Sequence, residues 1–293
     1  MKRRQFLWFS FLFVSGCTAS TINSGSTVNR PEKIRFAVTD VLDAEKLQQN
    51  YGEFRQALED VLQTKVEFYP VKSFTTAAVA LQSGEVDLVL TGPSEYVIIQ
   101  SRTNAVPVIG ITRLNYYSTI AVPVNSPIQS LAELKGKKIA LSDIGSTSGH
   151  LGPTKMLIDA GLNPKSDVQV MMLGDDGSIA AANNGEVDAW GGSAIDYQQL
   201  LANPDNSANE YRIIANGPPL PSDVFVANAQ LDPALIAEYK QLMVDNQDQL
   251  INALVIGEKT QKYQGSKLVP ASDSDYDLIR QVYQAIGQGK LIE

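Results

Sequence analysis

The sequence has almost nothing from which a metal centre or a disulfide could be built. Its 293 residues include one cysteine and one histidine, so no set of thiolate and imidazole ligands can be assembled. Basic residues are also few, since 24 Lys and Arg face 32 Asp and Glu, a formal net charge of −8. Nucleic-acid binding needs a basic footprint. We therefore expect no metal, no cofactor and no nucleic-acid partner.

The remaining composition is that of a folded protein. Hydrophobic residues make up 44% of the chain and charged residues 19%, which is enough apolar content for a packed core and excludes wholesale disorder. The length suits one large domain or two of ordinary size.

The first sixteen residues have the order of an export signal. Three basic residues at 2–4 precede an apolar run at 6–14 and the small residues Ser15 and Gly16. The apolar run is too short to span a bilayer, which takes about 20 residues. Two adjacent arginines fit a twin-arginine signal, but they are common in any signal, so the export route stays open.

The single cysteine lies directly after this signal. The sequence V-S-G-C ending at Cys17 resembles a lipobox, whose cysteine is acylated and becomes the first residue of the mature protein. The alternative is a buried structural cysteine, although no folded segment is predicted around it. Residues 17–31 are rich in Ser, Thr and Asn and lack periodicity, which predicts a flexible, lipid-anchored linker.

From residue 33 onward the chain alternates between predicted strands and helices. Residues 34–38, 66–69, 86–90, 106–111, 118–124, 138–141, 168–173, 187–190 and 212–215 are predicted strands. A first helix shows apolar residues at spacings of four and three, namely Leu47, Tyr51, Phe54, Leu58 and Val61. Alternation of this kind predicts an α/β fold whose sheets are rich in parallel pairs and covered on both faces.

An internal repeat divides the chain into two similar lobes. The tetrapeptide Gly-Glu-Val-Asp occurs at 84–87 and 185–188. In both copies a helix precedes the glycine, a strand follows, and a small-residue turn opens the next helix. We assign residues 32–118 and 224–293 to the first lobe and 119–223 to the second, with a hinged cleft between them. The prolines at 218, 219 and 221 stiffen the return crossover or lie in a surface loop.

The most unusual loop lies at the expected position of the cleft, because ligands bind beyond the carboxyl ends of parallel strands. After the strand ending at 141 come Ser146, Thr147 and Ser148 between glycines, and then a helix. Free N–H groups and the helix dipole favour a bound anion there. Such a loop suits a small tetrahedral oxyanion and needs no lysine or arginine; the alternative is an ordinary helix-capping loop.

A resemblance selects between these alternatives. The run G-S-T-S-G-H-L-G-P resembles the S-T-S-G-x-L-x-P loop of the phosphonate/phosphite/phosphate-binding lipoproteins of ABC importers, and most of the chain after residue 31 follows in the expected order. The resemblance implies a fold like that of type II periplasmic binding proteins. It also implies capture of a small phosphorus oxyanion, a membrane permease as partner, and an ATPase behind the permease.

The resemblance also implies further ligand-binding residues. Tyr116 matches the family tyrosine before the first crossover strand, with packing as its alternative role, and Asp223 matches the acidic residue after the second crossover. Where the family has a tyrosine and a histidine, this chain has Phe74 and Asp175. Thr75 or main-chain N–H groups are the candidate replacements for the tyrosine. An ionised Asp175 accepts from a protonated oxygen or a ligand ammonium group, unless Asp175, Asp176 and Asp223 are solvated caps.

We also predict that the protein is not an enzyme. G-S-T-S-G nearly matches the G-x-S-x-G nucleophile elbow, but Thr147 occupies the nucleophile position and the lone histidine, His150, lies only three residues away. We place His150 among the ligand-binding residues as a supporting donor, with packing as its alternative.

The sequence thus predicts an exported, lipid-anchored, monomeric receptor for a small oxyanion. The first alternative is a solute-binding protein that signals to a membrane sensor. The second alternative is a secreted hydrolase.

Overall fold

A computed structural model of the chain describes residues 30–39, 43–71, 74–201 and 211–293. The predicted signal, Cys17 and the linker up to residue 29 lie outside the described residues. Within the described ranges no helix is both long and apolar enough to cross a membrane.

Strands and helices alternate through the described residues. The strands are β1 Lys33–Val38, β2 Lys65–Phe68, β3 Leu88–Thr91, β4 Val106–Ile111, β5 Tyr117–Pro123, β6 Lys138–Leu141, β7 Gln169–Met172, β8 Ala189–Ser193, β9 Tyr211–Pro219, β10 Asp223–Ala227 and β11 Leu268–Val269. The helices are α1 Ala44–Leu62, α2 Phe74–Gln82, α3 Pro93–Thr103, α4 Gly152–Asp159, α5 Gly174–Asn183, α6 Ala194–Leu201, α7 Pro233–Asp245, α8 Gln247–Leu254 and α9 Asp277–Ala285.

The first helix shows how sequence pattern becomes packing. Asp43 caps α1 by accepting a hydrogen bond from the Lys46 N–H at 2.9 Å, which satisfies one of the free donors of the first turn. The five apolar residues predicted to share a face are all buried. They pack on the first sheet in one hydrophobic cluster with Phe36 and Phe225.

The strands form two mixed sheets, as the predicted α/β class requires. The first has the order β11-β4-β10-β3-β1-β2 and the second β7-β6-β8-β5-β9. Strands β1, β2 and β3 are parallel, as are β6, β7 and β8, whereas β10, β11, β5 and β9 pair antiparallel with their neighbours. Hydrophobic clusters lie on both faces of each sheet, in agreement with the prediction that both faces are covered.

The chain crosses between the sheets twice, at 112–116 and 220–222. The predicted lobe boundaries need a correction here. Tyr117 and Ser118 were expected in the first lobe, but they belong to β5 of the second sheet. Asp223 was expected in the second lobe, but it begins β10 and pairs with Ile111 of the first sheet. The pairing partners, which the sequence does not name, set these boundaries.

The repeated tetrapeptide forms the same turn in both lobes. Gly84 and Gly185 have φ of 74° and 70°, values that favour glycine. The following aspartates tie the turn to the neighbouring parallel strand: the Asp87 N–H donates to the Arg35 carbonyl and the Asp188 N–H to the Lys138 carbonyl, both at 3.0 Å. Because residues 86–87 and 187–188 belong to this turn, β3 and β8 begin two residues later than predicted.

Candidate functional site

A cavity of about 400 Å³ opens between the two sheets. Its walls come from the carboxyl ends of strands and the amino ends of helices in both lobes. The lining residues are Thr39, Leu90, Thr91, Gly92, Glu95, Arg113, Tyr116, Ser142, Asp143, Ile144, Gly145, Ser146, Thr147, Ser148, Asp175, Ser193, Ile195, Asp196, Asp223, Lys262 and Tyr263. The predicted binding residues Ser146, Thr147, Ser148, Tyr116, Asp175 and Asp223 are thereby brought together.

The Ser146–Ser148 loop is held against the end of β6. The Ser142 N–H donates to the Gly149 carbonyl at 3.0 Å, and the approach is so close that a Cβ on Gly149 would lie 2.3 Å from the Ser142 Cβ. Gly145 has a φ of 94°, a conformation that glycine adopts readily. The chain then makes one wide helical turn, Thr147–Leu151, which continues into α4. The sequence folds this way because glycines stand at the turn and at the point of contact.

Hydrogen-bond donors of this loop face the cavity. The Ser146 hydroxyl oxygen accepts from the Gly149 N–H at 3.2 Å, so its own O–H is available to a ligand. Ser148 also lines the cavity. Within the same described ranges, no main-chain carbonyl accepts from the N–H groups of Thr147 and Ser148. Uncharged donors at a helix start are the arrangement that binds anions.

Thr147 joins the two lobes across the cleft. Its hydroxyl donates to the Ser94 hydroxyl oxygen at 2.8 Å and accepts from the Ser94 N–H at 3.1 Å. Ser94 belongs to the first turn of α3 in the first lobe and donates in turn to Glu95 at 3.0 Å. The same residue that lines the cavity therefore also fixes the position of one lobe against the other.

An ion pair that the sequence analysis missed lies in the cavity wall. The Arg113 guanidinium donates to Oδ2 of Asp223 through Nε, at 2.9 Å, and through a terminal nitrogen. The Tyr263 hydroxyl donates to the same oxygen at 2.5 Å. Oδ1 of Asp223 is buried and has no partner among the described residues. Asp223 is therefore a buried member of a charged pair, and its second oxygen can accept a hydrogen bond from a ligand.

Electrostatics explain why Arg113 is charged here. Burial works to lower the pKa of Arg113, but the adjacent Asp223 carboxylate outweighs it, and the pKa lies well above its ordinary value. Arg113 also stacks on Tyr116, with 4.3 Å from its Cζ to the ring centroid. Burial raises the pKa of Tyr116 to about 12, so its phenol is a neutral donor. The sequence predicted an anion site without lysine or arginine. The Ser146–Ser148 loop contains neither, but Arg113 and Lys262 do line the cavity.

Carboxylates nevertheless outnumber cations in this cavity. The acidic lining residues are Glu95, Asp143, Asp175, Asp196 and Asp223. Asp175 accepts from the Ser142 hydroxyl, and Asp196 accepts from the Ser193 N–H and hydroxyl. Burial raises the pKa of Asp196, and the charge of Asp175 adds to this. Glu95 and Asp196 occupy corresponding positions after the repeat, before Tyr96 and Tyr197, a signal that the sequence contains.

The structure does not bring His150 to the cavity. It lies behind the Ser146–Ser148 loop and lines a separate groove, and its Nδ1 accepts from the Gly145 N–H at 3.0 Å. Because the Thr147 hydroxyl bonds to Ser94 instead, no histidine activates it as a nucleophile.

Three other predicted positions are not placed at the cavity by the structure. The side chains of Phe74 and Thr75 lie outside the described residues, although both residues begin α2. Asp176 is exposed and does not line the cavity. No group of three or more His, Cys, Asp or Glu side chains in the described ranges is placed to hold a metal ion.

The family model described as "ABC transporter, phosphonate, periplasmic substrate-binding protein" matches residues 36–276. The chain belongs to this family. The phosphonate-binding family is one of transport proteins and not of enzymes, which agrees with the predicted receptor and argues against the hydrolase alternative.

Individual relatives are similar over nearly the whole chain. A phosphate-import protein PhnD of Mycolicibacterium smegmatis is 27% identical over 95% of this chain and 94% of its own. The solved structure of PhnD1 from Prochlorococcus marinus, in complex with methylphosphonate, has a TM-score of 0.70 at 19% identity and covers 88% of this chain and 100% of its own. The aliphatic sulphonate-binding protein SsuA of Escherichia coli has a TM-score of 0.62 at 23% identity, covering 90% and 89%. The two structural neighbours confirm the type II periplasmic-binding fold.

Proposed function

We propose that this member of the phosphonate-binding family captures a small phosphorus oxyanion, a phosphonate, phosphite or phosphate, in the cavity between its lobes. The observation that carries the proposal is the Ser146–Ser148 loop, whose hydroxyl and N–H donors face that cavity. The ligands named for two relatives, phosphate and methylphosphonate, belong to this chemical class.

Donors and acceptors in the cavity fit an oxyanion that keeps one proton or carries an ammonium group. Ser146, Ser148 and the main-chain N–H groups of the loop supply donors for the unprotonated oxygens. Burial of the anion is tolerable only when each oxygen meets a donor. The unpartnered Oδ1 of Asp223 and the carboxylate of Asp175 supply acceptors. An ionised carboxylate only accepts, so the ligand has to bring a proton there.

Delivery completes the function. Closure of the two lobes about the crossovers at 112–116 and 220–222 buries the ligand, and the closed receptor docks on a membrane permease. We propose that the receptor is an exported monomer and that lipid attached to Cys17 keeps it at the membrane, since the V-S-G-C sequence follows a signal-like segment. Several acyl chains are needed for such an anchor, because one chain binds membranes only marginally.

Titration calorimetry of the purified protein with phosphite, methylphosphonate, aminoethylphosphonate, phosphate and sulfate tests the ligand class. We expect saturable binding of at least one phosphorus oxyanion and weaker binding of sulfate, which carries no proton for Asp175 or Asp223 at neutral pH. A preference for sulfate would overturn the proposal.

Substitutions in the loop test the site. Ser146→Ala removes a hydroxyl donor close to a charged ligand and is expected to weaken binding by about 1.5–3 kcal/mol. Thr147→Ala removes the hydroxyl that bonds the loop to Ser94 and is expected to weaken binding by about 1 kcal/mol. Ser130→Ala is the matched control, because Ser130 donates only to Glu133 on the surface of the second lobe and is not part of the cavity wall. Unchanged affinity in both loop variants would remove the loop from the binding site.

A further inference from the structure

We infer that His150 is a positioning residue of the anion-binding loop, which it orders as a neutral hydrogen-bond acceptor and loosens when it gains a proton. The inference rests on the proposed function, since the loop it positions is the proposed ligand-binding loop. Its outcome is acid-triggered release of the bound oxyanion.

The geometry joins the two ends of the loop. Nδ1 of His150 accepts from the Gly145 N–H at 3.0 Å, while the N–H of His150 donates to the Ser146 carbonyl at 3.1 Å. The donors of Ser146, Thr147 and Ser148 lie between these two bonds. The imidazole therefore fixes the entrance of the loop relative to its exit.

This bond requires one protonation state. Gly145 contributes an N–H, so Nδ1 has to present a lone pair, which exists only in the neutral imidazole that carries its proton on Nε2. An imidazolium has donors on both nitrogens and would set two N–H groups against each other. Proton uptake thus breaks the bond and leaves the Gly145 N–H without its acceptor.

The surroundings of His150 give a proton access to the ring but do not stabilise the charged imidazolium. His150 is 9% exposed and lines a groove of about 770 Å³, whereas it does not line the ligand cavity. Burial lowers the pKa of His150 below its ordinary value of 6.5. Apart from Ile144, the residues that line this groove do not line the ligand cavity.

Charged groups on the packed elements are few or already paired. On α4, Lys155 pairs with Asp159, and on α9, Arg280 pairs with Asp277 and Asp273; strands β5, β7 and β8 carry no charged side chain. The other titratable groups that line the groove or belong to these elements are Tyr117, Lys165, Asp167 and Tyr283. Asp143 and Lys290 are close in sequence to the lining residues Ile144 and Gln288. Asp167 pairs with Lys135. None of them contributes to the shift at His150, for which burial is the cause.

The chain offers a sharp variant. In His150→Asn the amide Oδ1 replaces Nδ1 at the same distance along the side chain and accepts at every pH. His150→Ala removes the acceptor. At pH 7.5 we expect His150→Asn to bind methylphosphonate or phosphate within about twofold of the wild type, and His150→Ala to bind about tenfold more weakly, as expected for one lost hydrogen bond.

The pH profile distinguishes positioning from packing. As pH falls through the lowered pKa, wild-type affinity is expected to fall about tenfold more than that of His150→Asn. Protonation of the ligand and of the cavity carboxylates affects both proteins and cancels in this difference. Superimposable pH profiles for wild type and His150→Asn would overturn the inference.

A measurement without ligand keeps the inference separate from the proposed function. His150 is the one histidine of the chain, so its ring nitrogens give an unambiguous ¹⁵N spectrum. We expect the Nε2–H tautomer at neutral pH and a Gly145 amide shift that titrates with the ring in wild type but not in His150→Asn. An Nδ1–H tautomer would refute the inference even if every ligand binds. Failure of all ligands, with the expected tautomer and titration, would refute only the phosphorus-oxyanion proposal.

Discussion

Both lobes contain Gly-Glu-Val-Asp, and both use its aspartate to bind the neighbouring parallel strand, but they do so with different partners. In the first lobe Asp87 accepts from the Arg35 N–H at 2.8 Å and from the Arg35 guanidinium at 2.8 and 2.6 Å. In the second lobe Asp188 accepts from the Lys138 N–H at 2.9 Å. The repeated sequence sets the turn, while the residue at the start of the facing strand sets how strongly it is held.

The helices that follow the repeat differ in a second way. The N–H of Ser94, in the first turn of α3, bonds across the cleft to Thr147. The N–H of Ser193, just before α6, bonds to Asp196 in its own lobe. The two helix starts therefore have different roles. The start of α3 joins the lobes at the cavity, whereas the start of α6 bonds within its own lobe and places the Asp196 carboxylate in the cavity wall.

The largest expected effect comes from removing the two aspartates, Asp87 and Asp188, one at a time. Asp87→Ala removes three hydrogen bonds, two of them to a guanidinium, and is expected to lower the free energy of unfolding by about 2–3 kcal/mol. Asp188→Ala removes one main-chain bond and is expected to cost about 1 kcal/mol. Urea unfolding of both variants measures this. Equal losses would show that the Arg35 guanidinium adds nothing to the first lobe.

The next effect concerns the bond across the cleft. Ser94→Ala removes the hydroxyl that accepts from Thr147 and donates to Glu95 and keeps the main-chain N–H bond to Thr147. Ligand affinity is expected to fall about tenfold, because one of the two bonds that join the lobes at the cavity is lost. Thr64→Ala is the control: Thr64 is also buried, and its hydroxyl donates to the Leu62 carbonyl and accepts from the Tyr239 hydroxyl, all within the first lobe and away from the cavity. Calorimetry is expected to show unchanged affinity in the control. A similar loss of affinity in both variants would mean that general destabilisation explains the effect.

The smallest expected effect concerns Asp196, the carboxylate at the start of α6. The raised pKa of Asp196 means that the folded protein binds this proton more tightly than the unfolded chain does. Its contribution to stability is therefore present at low pH and lost as pH rises through the raised pKa. Asp196→Asn removes this ionisation. The difference in unfolding free energy, variant minus wild type, is therefore expected to be more positive at pH 7 than at pH 4. Unfolding at both pH values measures this, and Asp176→Asn, at an exposed position of the same lobe, is the control for the loss of one carboxylate.

The accuracy of the sequence-based prediction differs from one helix or strand to another. The apolar face of α1 and strands β4 and β6 follow from spacing and composition, and they were predicted at or near their observed positions. The repeat predicted a helix before Gly185, which is α5, but not where it begins, because Gly174, Asp175, Asp176 and Gly177 are residues typical of turns. Short β11 was missed because two residues carry no periodic pattern; the pairing with β4 makes it a strand.

In the candidate site the same division holds. The Ser146–Ser148 loop was singled out because three small hydroxyl residues between glycines precede a helix, and the family resemblance then favoured an anion site over a helix-capping loop. Arg113 was missed because nothing near it in the sequence marks it. Its partner Asp223 lies 110 residues away, and only the meeting of the two crossovers at the cavity wall makes them a pair.

The sequence by itself determined the alternation of elements, the repeated turn and the chemistry of the Ser146–Ser148 loop, because each depends on residues that are close together along the chain. Tertiary structure decided which groups oppose that chemistry: Ser94 against Thr147, Arg113 against Asp223, and His150 against Gly145. Hydrogen bonds and ion pairs require atoms within about 3 Å of each other, and only the packing of two sheets across a cleft brings the partners from distant segments to that distance.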